Sequence, residues 1–251
     1  MILEIKDLNV TYNSKSDNPN AAVRGVSFAL EENSFSGLIG ESGSGKSTVL
    51  GLLPRDSAAS GEILYKGRSI LGIPEDKMAS LRQREIALIP QGALNSFTPV
   101  MTIGRHLREV LELHLGLKGE AAERRITELL AEVELPPEIA ARYPHELSGG
   151  QKQRAAIAIA LSCEPKLILA DEPTTALDVI TQAAILRLLE RLRREKNLTI
   201  LLVTHDLPLA ASVCGELFVM KDGKLIESGT PRQLIDSPRE AHTRALIAAM
   251  L

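Results

Sequence analysis

Two groups of residues in this 251-residue sequence have the types and spacing to handle a nucleoside triphosphate. The first is Gly40-Glu41-Ser42-Gly43-Ser44-Gly45-Lys46-Ser47-Thr48, which fits the pattern G-x-x-x-x-G-K-[ST]. It follows the apolar run Phe35–Ile39 and opens a helical pattern at Lys46, the context the motif requires. Its glycines let successive backbone N–H groups curl towards phosphate oxygens, and a helix N-terminus adds partial positive charge. Lys46 is expected to reach the β- and γ-phosphates, and the Ser47 hydroxyl to ligate Mg2+. The second group is Leu167-Ile168-Leu169-Ala170-Asp171-Glu172, an apolar strand ending in two carboxylates. Asp171 suits Mg2+, held through water, and Glu172 suits a general base that polarises the attacking water. A chance glycine-rich turn and a pair of helix-capping acids are the plain alternatives. Together in one chain, each in its proper setting, the two motifs favour the chemistry.

A third cluster is Leu147-Ser148-Gly149-Gly150-Gln151-Lys152-Gln153-Arg154. Ser148 stands at a helix start with two glycines behind it, so a hydroxyl and bare N–H groups face an anion. This segment resembles the signature motif of ABC ATPases. The resemblance implies that Ser148, Gly149, Gly150 and Gln151 cap the γ-phosphate bound to an opposing subunit, in a head-to-tail dimer enclosing ATP. Other elements of that family follow in order along the whole chain. Tyr12 lies where the family places an aromatic that stacks on adenine. Gln91 resembles the glutamine that contacts Mg2+ and the attacking water. Ala176-Leu177-Asp178 resembles the loop that touches the other subunit's site. His205 resembles the switch histidine that bonds the γ-phosphate and holds Glu172 and water in place. Thr175 departs slightly from the pattern, since many members carry Ser there.

The elements that must position these residues are legible as patterns. Ile2, Ile5, Leu8 and Val10 alternate with polar residues and predict an edge strand, followed by a hairpin loop at Asn13–Asn20 and a strand at Val26–Leu30. Glu62–Tyr65 and Ile86–Pro90 predict further strands. Helical periodicity then takes over at Ile103–Leu115, Glu120–Val133 and Gly150–Ser162, with a proline-broken connector at Val133–Pro144. Strands return at Leu167–Ala170 and Thr199–Val203, separated by a helix at Val179–Lys196. Leu217–Met220 and Lys224–Glu227 flank Asp222-Gly223, a strong hairpin signal because that turn needs positive φ. Alternating strands and helices argue for a parallel sheet with helices packed on it. The expected fold is α/β. The resemblance makes it a P-loop NTPase (RecA-like) core with an antiparallel β subdomain and an inserted helical subdomain. One ABC ATPase domain is expected over residues 1–251, with 1–91 and 165–251 as the core and 92–164 as the helical insert.

Bulk properties exclude other classes. A composition of 44% hydrophobic and 24% charged residues is that of a folded globular protein. A net charge of −3 gives no electrostatic footprint for nucleic acid, and 3% aromatics without Trp give no base-stacking platform. Cys163 and Cys214 have no partner spacing and are expected to be buried or half-buried free thiols in a reducing cytoplasm. The N-terminus carries no signal-peptide pattern, and no apolar run approaches the ~18 residues that span a bilayer. A membrane role must then come through a partner.

The resemblance implies ATP and Mg2+ as ligands and a peripheral place on the cytoplasmic face of a membrane. It also implies two multi-span permease subunits, a paralogous ATPase or a second copy as dimer partner, and a solute-binding protein acting indirectly. Nucleic acid is not an expected partner. The segments Pro90–Gly104 and Ser237–Leu246 look like the peptide/nickel importer branch. Many peptide-type members continue past the equivalent of Leu251 with a cysteine-containing extension, which tilts the expectation towards nickel or metal chelates. The competing reading is an ABC ATPase acting in translation or DNA repair. Such proteins usually carry paired ATPase domains or basic surfaces, against the single domain and acidic balance here. A subunit that binds ATP without hydrolysis is a further alternative, disfavoured by intact Glu172 and His205.

Overall fold

The computed structural model describes residues 1–13, 19–51, 57–92 and 96–248. Strands β1 (Leu3–Tyr12), β2 (Asn20–Leu30) and β3 (Phe35–Ile39) precede the short helix α1 (Lys46–Leu50). Then come β4 (Ser57–Tyr65), β5 (Arg68–Ser69), α2 (Glu75–Leu81) and β6 (Ile86–Ile89). The helices α3 (Ile103–Leu115), α4 (Gly119–Glu132) and α5 (Gly149–Leu161) follow, with 3-10 turns at Pro137–Ala141 and Pro144–Glu146 between the last two. Strand β7 (Leu167–Asp171) and helix α6 (Val179–Lys196) lead into β8 (Thr199–Thr204), α7 (Leu207–Ala211), β9 (Glu216–Lys221) and β10 (Lys224–Gly229). Helices α8 (Pro231–Asp236) and α9 (Ala241–Ala248) finish the described chain. The residues group into two compact units, Met1–Met78 with Thr199–Leu251, and Ala79–Leu198.

The first unit holds an antiparallel sheet in the order β2-β1-β4-β5. Strand β1 is therefore interior, not the edge strand its alternation suggests, and pairs with β2 on one side and β4 on the other. Alternation reports only that one face is buried; it is silent on how many neighbours the backbone has. The apolar set Leu3, Ile5, Leu8 and Val10 is buried although Ile5 and Leu8 are three apart. A bulge absorbs the extra residue: the register shifts between Lys6 and Asn9, and Asp7 takes φ 47°. Strand β2 is longer than expected, and the expected hairpin loop falls mostly on residues 14–18, outside the described residues.

In the same unit β3 pairs in parallel with both β8 and β9, and β9 turns back into β10. Strands β3 and β8 are buried along their whole length, which is why they read as continuous apolar runs. The β9–β10 turn is Asp222-Gly223, with φ 48° and 79°, as the dipeptide demands.

The second unit pairs β6 with β7 in parallel and gathers α3, α4 and α5. Helix α3 starts where the Thr102 side chain accepts the Arg105 N–H and ends at Gly116, φ 67°. Its buried Ile103, Leu107 and Leu111 are spaced four apart, one face turned inward. Each such Leu contributes about 1.5–3 kcal/mol by leaving water. Helix α5 is buried through small residues, Ala155, Ala156, Ala158 and Ala160, which let neighbours approach closely. Helix α6 is capped by Asp178 and stopped by Asn197 at φ 52°. Past α4, Glu134 takes φ 58° and its carboxylate receives Arg154 of α5 at 2.5 Å and Arg191 of α6 at 3.3 Å. Among the described residues no helix is long and apolar enough to cross a membrane.

Candidate nucleotide site

The phosphate loop belongs to the first unit and runs from the end of β3 into α1. Gly45 takes φ 98°, and a Cβ there would stand 2.4 Å from the Ala22 carbonyl oxygen, so both backbone and space require glycine. Lys46 is buried, and its ammonium donates to the Gly40 and Glu41 carbonyls at 2.7 Å each and to Ser44 Oγ at 3.4 Å. Two of these acceptors are backbone carbonyls, so the loop holds the ammonium against its own main chain. Ser47 is exposed at the mouth of the loop, as are Glu41, Ser42 and Gly43.

Support for the loop comes from a place the sequence motif does not cover. The Gly223 N–H, at the tip of the β9–β10 hairpin, donates to the Ser44 carbonyl at 3.1 Å. The Gly223 carbonyl accepts the Arg24 N–H at 2.8 Å, linking the hairpin to β2. The Asp-Gly signal predicts the hairpin, but nothing in the sequence says what its tip braces. Tyr12, at the end of β1, is half-buried, and its hydroxyl lies 3.4 Å from Thr48 Oγ1. His205 follows β8 and is exposed. Behind it, Asp206 caps α7 by accepting the Leu209 N–H at 2.9 Å.

The second unit carries the carboxylates. Asp171 is the last residue of β7, and both it and Glu172 are half-buried. Gln91, just past β6, donates from Nε2 to Glu172 Oε2 at 3.1 Å. Parallel pairing of β6 with β7 places the ends of both strands together, which is what brings these two residues into contact. A carboxylate only accepts, so the amide nitrogen faces Glu172 and Gln91 Oε1 is turned elsewhere. Glu172 itself takes φ 44°, a left-handed conformation that is uncommon for a residue with a side chain.

Two helix starts belong to the same unit. Ser148 Oγ accepts the Gln151 N–H at 3.3 Å while Gln151 Oε1 accepts the Ser148 N–H at 3.0 Å, a reciprocal cap on α5. Asp178 accepts the Thr181 N–H at 2.9 Å and the Thr181 hydroxyl at 2.6 Å, capping α6. The Thr181 hydroxyl, then its N–H, hold the Asp178 carboxyl below its ordinary range. The two starts pack side by side: a Cβ on Gly150 would meet Thr181 Cγ2 at 2.9 Å. Thus Gly149 and Gly150 present the first turn of α5 beside the first turn of α6.

The family model described as "ABC transporter" matches residues 23–175. The chain belongs to the ABC transporter family. Within it the chain is the ATP-binding component, an ATPase coupled to transport. It is 43% identical to the peptidoglycan transport ATP-binding protein YejF of Agrobacterium fabrum, over 99% of this chain and 47% of that protein. It is 42% identical to the oligopeptide transport ATP-binding protein OppD of Salmonella typhimurium, over 100% of this chain and 76% of that one. The chain thus spans about half of the first relative and about three-quarters of the second. Among solved structures it is similar to the ATP-binding cassette MJ0796 in a dimeric, post-hydrolysis state bound to ADP and Pi. That likeness has a TM-score of 0.80 and 31% identity, over 92% of this chain and 99% of that one. The ABC cassette fold, an α/β P-loop NTPase with parallel and antiparallel sheets, is therefore that of this chain.

Each unit carries oxygen donors of the kind a metal ion takes: Ser47 Oγ in the first, the Asp171 carboxylate and Gln91 Oε1 in the second. All are oxygens, the hard ligands that Mg2+ takes alongside substrate phosphates. The orientation forced on the Gln91 amide by Glu172 fits this role, since it directs an oxygen, not a nitrogen, away from the carboxylate. Thr175, which the sequence marks only as a departure from serine, also belongs here: its hydroxyl donates to Glu172 Oε2 at 2.9 Å.

Proposed function

We propose that this chain binds ATP with Mg2+ and hydrolyses it to drive import through a separate membrane permease. The observation that carries the reading is the Glu172 carboxylate, oriented by Gln91 next to Asp171 at the end of a buried strand. In this reading Lys46 and the N–H groups of Gly43–Thr48 neutralise the phosphates. Tyr12 stacks on the base, and Ser47, Asp171 and Gln91 hold the metal ion. The ion, when bound, supplies positive charge to the phosphate oxygens. Glu172 accepts a proton as water oxygen bonds to the γ-phosphorus and the bond to the β-phosphate oxygen breaks, releasing ADP and phosphate. His205 bonds the γ-phosphate. Ser148, Gly149, Gly150, Gln151 and Asp178 act on the nucleotide of an opposing subunit, a second copy or a paralogue. The neighbouring α5 and α6 starts support that shared role, because one surface presents both.

The chain acts as one domain over 1–251, its helical subdomain 92–164 inserted in the α/β core. The cargo we propose is a peptide, on the strength of relatives named for oligopeptide and peptidoglycan transport. The segment at Pro90–Gly104 that suggests the importer branch is described except for residues 93–95. The chain sits on the cytoplasmic face of the membrane through two permease subunits, with a solute-binding protein on the far side. A tagged pull-down from native membranes tests this directly. Two multi-span permeases, an ATPase and a binding protein that takes up peptides are the expected yield. A binding protein that takes up only nickel or metal chelates would replace the cargo, and ribosomal or repair proteins without a permease would overturn the importer.

A further inference from the structure

The loop after β7 offers Glu172 a second donor. Residues Glu172-Pro173-Thr174-Thr175 close a four-residue turn, the Thr175 N–H donating to the Glu172 carbonyl at 3.2 Å. Proline at the second position pre-sets the φ such a turn uses. The turn brings its first and last side chains together, and Thr175 Oγ1 reaches Glu172 Oε2 at 2.9 Å. Gln91 Nε2 reaches the same oxygen at 3.1 Å. The rest of the loop is pinned without the hydroxyl: Gln182 Nε2 of α6 donates to the Thr174 carbonyl at 3.3 Å and the Leu177 carbonyl at 3.1 Å. Thr175 itself is exposed, so its side chain fills no core space.

We infer that Thr175 is a positioning residue, whose hydroxyl joins the Gln91 amide in aiming the Glu172 carboxylate at the attacking water. This rests on the reading of Glu172 as the general base. The physical need is specific. The last torsion of a glutamate side chain is broad and two-fold, so rotamer preference does not fix the carboxylate plane. Two donors converging on Oε2 do fix it. The β-branch of threonine, stiff at χ1, holds the hydroxyl on line more firmly than serine would.

The test uses the purified full-length chain and Mg·ATP, with Thr175→Val, Thr175→Ser and Glu172→Gln compared with wild type. Valine keeps the shape and removes the donor. We expect Thr175→Val to lower kcat about ten- to a hundredfold, the scale of a misplaced catalytic group. KM, the calorimetric ATP affinity and Tm should stay at wild-type values, and Thr175→Ser should restore most of the rate. If Thr175→Val turns over at the wild-type rate while Glu172→Gln is inactive, the base stands and the positioning role falls. The role also falls if Thr175→Ser is as slow as valine, or if the loss appears in KM, affinity or Tm instead of kcat. Wild-type turnover by Glu172→Gln would overturn the base itself, and the positioning role with it.

Discussion

The phosphate loop and the carboxylate loop are built by different means. The phosphate loop is held by backbone: Lys46 is buried against loop carbonyls, Gly45 is locked against Ala22, and the hairpin tip at Gly223 bonds to Ser44. The loop at Glu172 closes through its own Thr175 N–H, but side-chain donors hold its carboxylate and its carbonyls: Gln91 after β6 and Thr175 within the turn on Glu172, and Gln182 of α6 on the Thr174 carbonyl. Backbone amides spread their hold over many phosphate oxygens. Side-chain donors on one carboxylate act on a single reacting atom. In the proposed reading, binding rests on the cradle and turnover on a hydrogen-bonded group that one substitution can misalign.

That division can be broken or sharpened by substitution. The largest effect on the binding side is expected from Lys46→Ala. It removes charge-assisted contacts of about 1.5–3 kcal/mol, or roughly ten- to a hundredfold in Kd. Calorimetric titration with wild-type affinity in this variant would end the distinction, since the cradle would not be what binds. A smaller effect follows Gly150→Ala, where the new methyl meets Thr181 Cγ2 at 2.9 Å. Overpacking there should cost about 1 kcal/mol and lower Tm by roughly 2–4 °C. Thr181→Ser, which deletes that methyl and keeps the capping hydroxyl, should restore Tm by calorimetry.

The smallest effect is predicted at Glu134. Its carboxyl is held below the ordinary value of 4.5, first by the Arg154 hydrogen bond and further by Arg191. A depressed carboxylate contributes stability that is complete above the ordinary value and is lost as pH falls through the folded-state value. The side chain is half-exposed, so the contribution is within about 1 kcal/mol. Glu134→Gly removes both ion pairs but relieves a left-handed side-chain residue, also about 1 kcal/mol. Tm at pH 7 should therefore barely move, while its decline as pH falls through and below 4.5 becomes shallower. An equally steep acid decline in the variant would show that the pairs contribute nothing.

Much of this was legible in the sequence because motif and periodicity share a physical cause. Helices α3 and α6 are long, amphipathic and capped, and the structure bounds them where their periodicity does. The phosphate loop reads from its glycines, and the β9–β10 hairpin from Asp222-Gly223. Short elements such as β5, α2 and α7 escaped, since two to seven residues carry too little periodicity. The interior place of β1 escaped because side-chain alternation does not count backbone neighbours. Thr175 stood out only as a departure from serine, and its bond to Glu172 follows from a turn geometry that no single residue announces. The contacts that tie distant positions, Gly223 to Ser44 and Gln91 to Glu172, are tertiary facts with no local trace.

The most direct test of the account is Glu172→Gln, with ATP affinity measured by calorimetry and phosphate release followed in the same preparation. The account predicts wild-type affinity with release slowed by about 10²–10⁴. Phosphate release at the wild-type rate would contradict it.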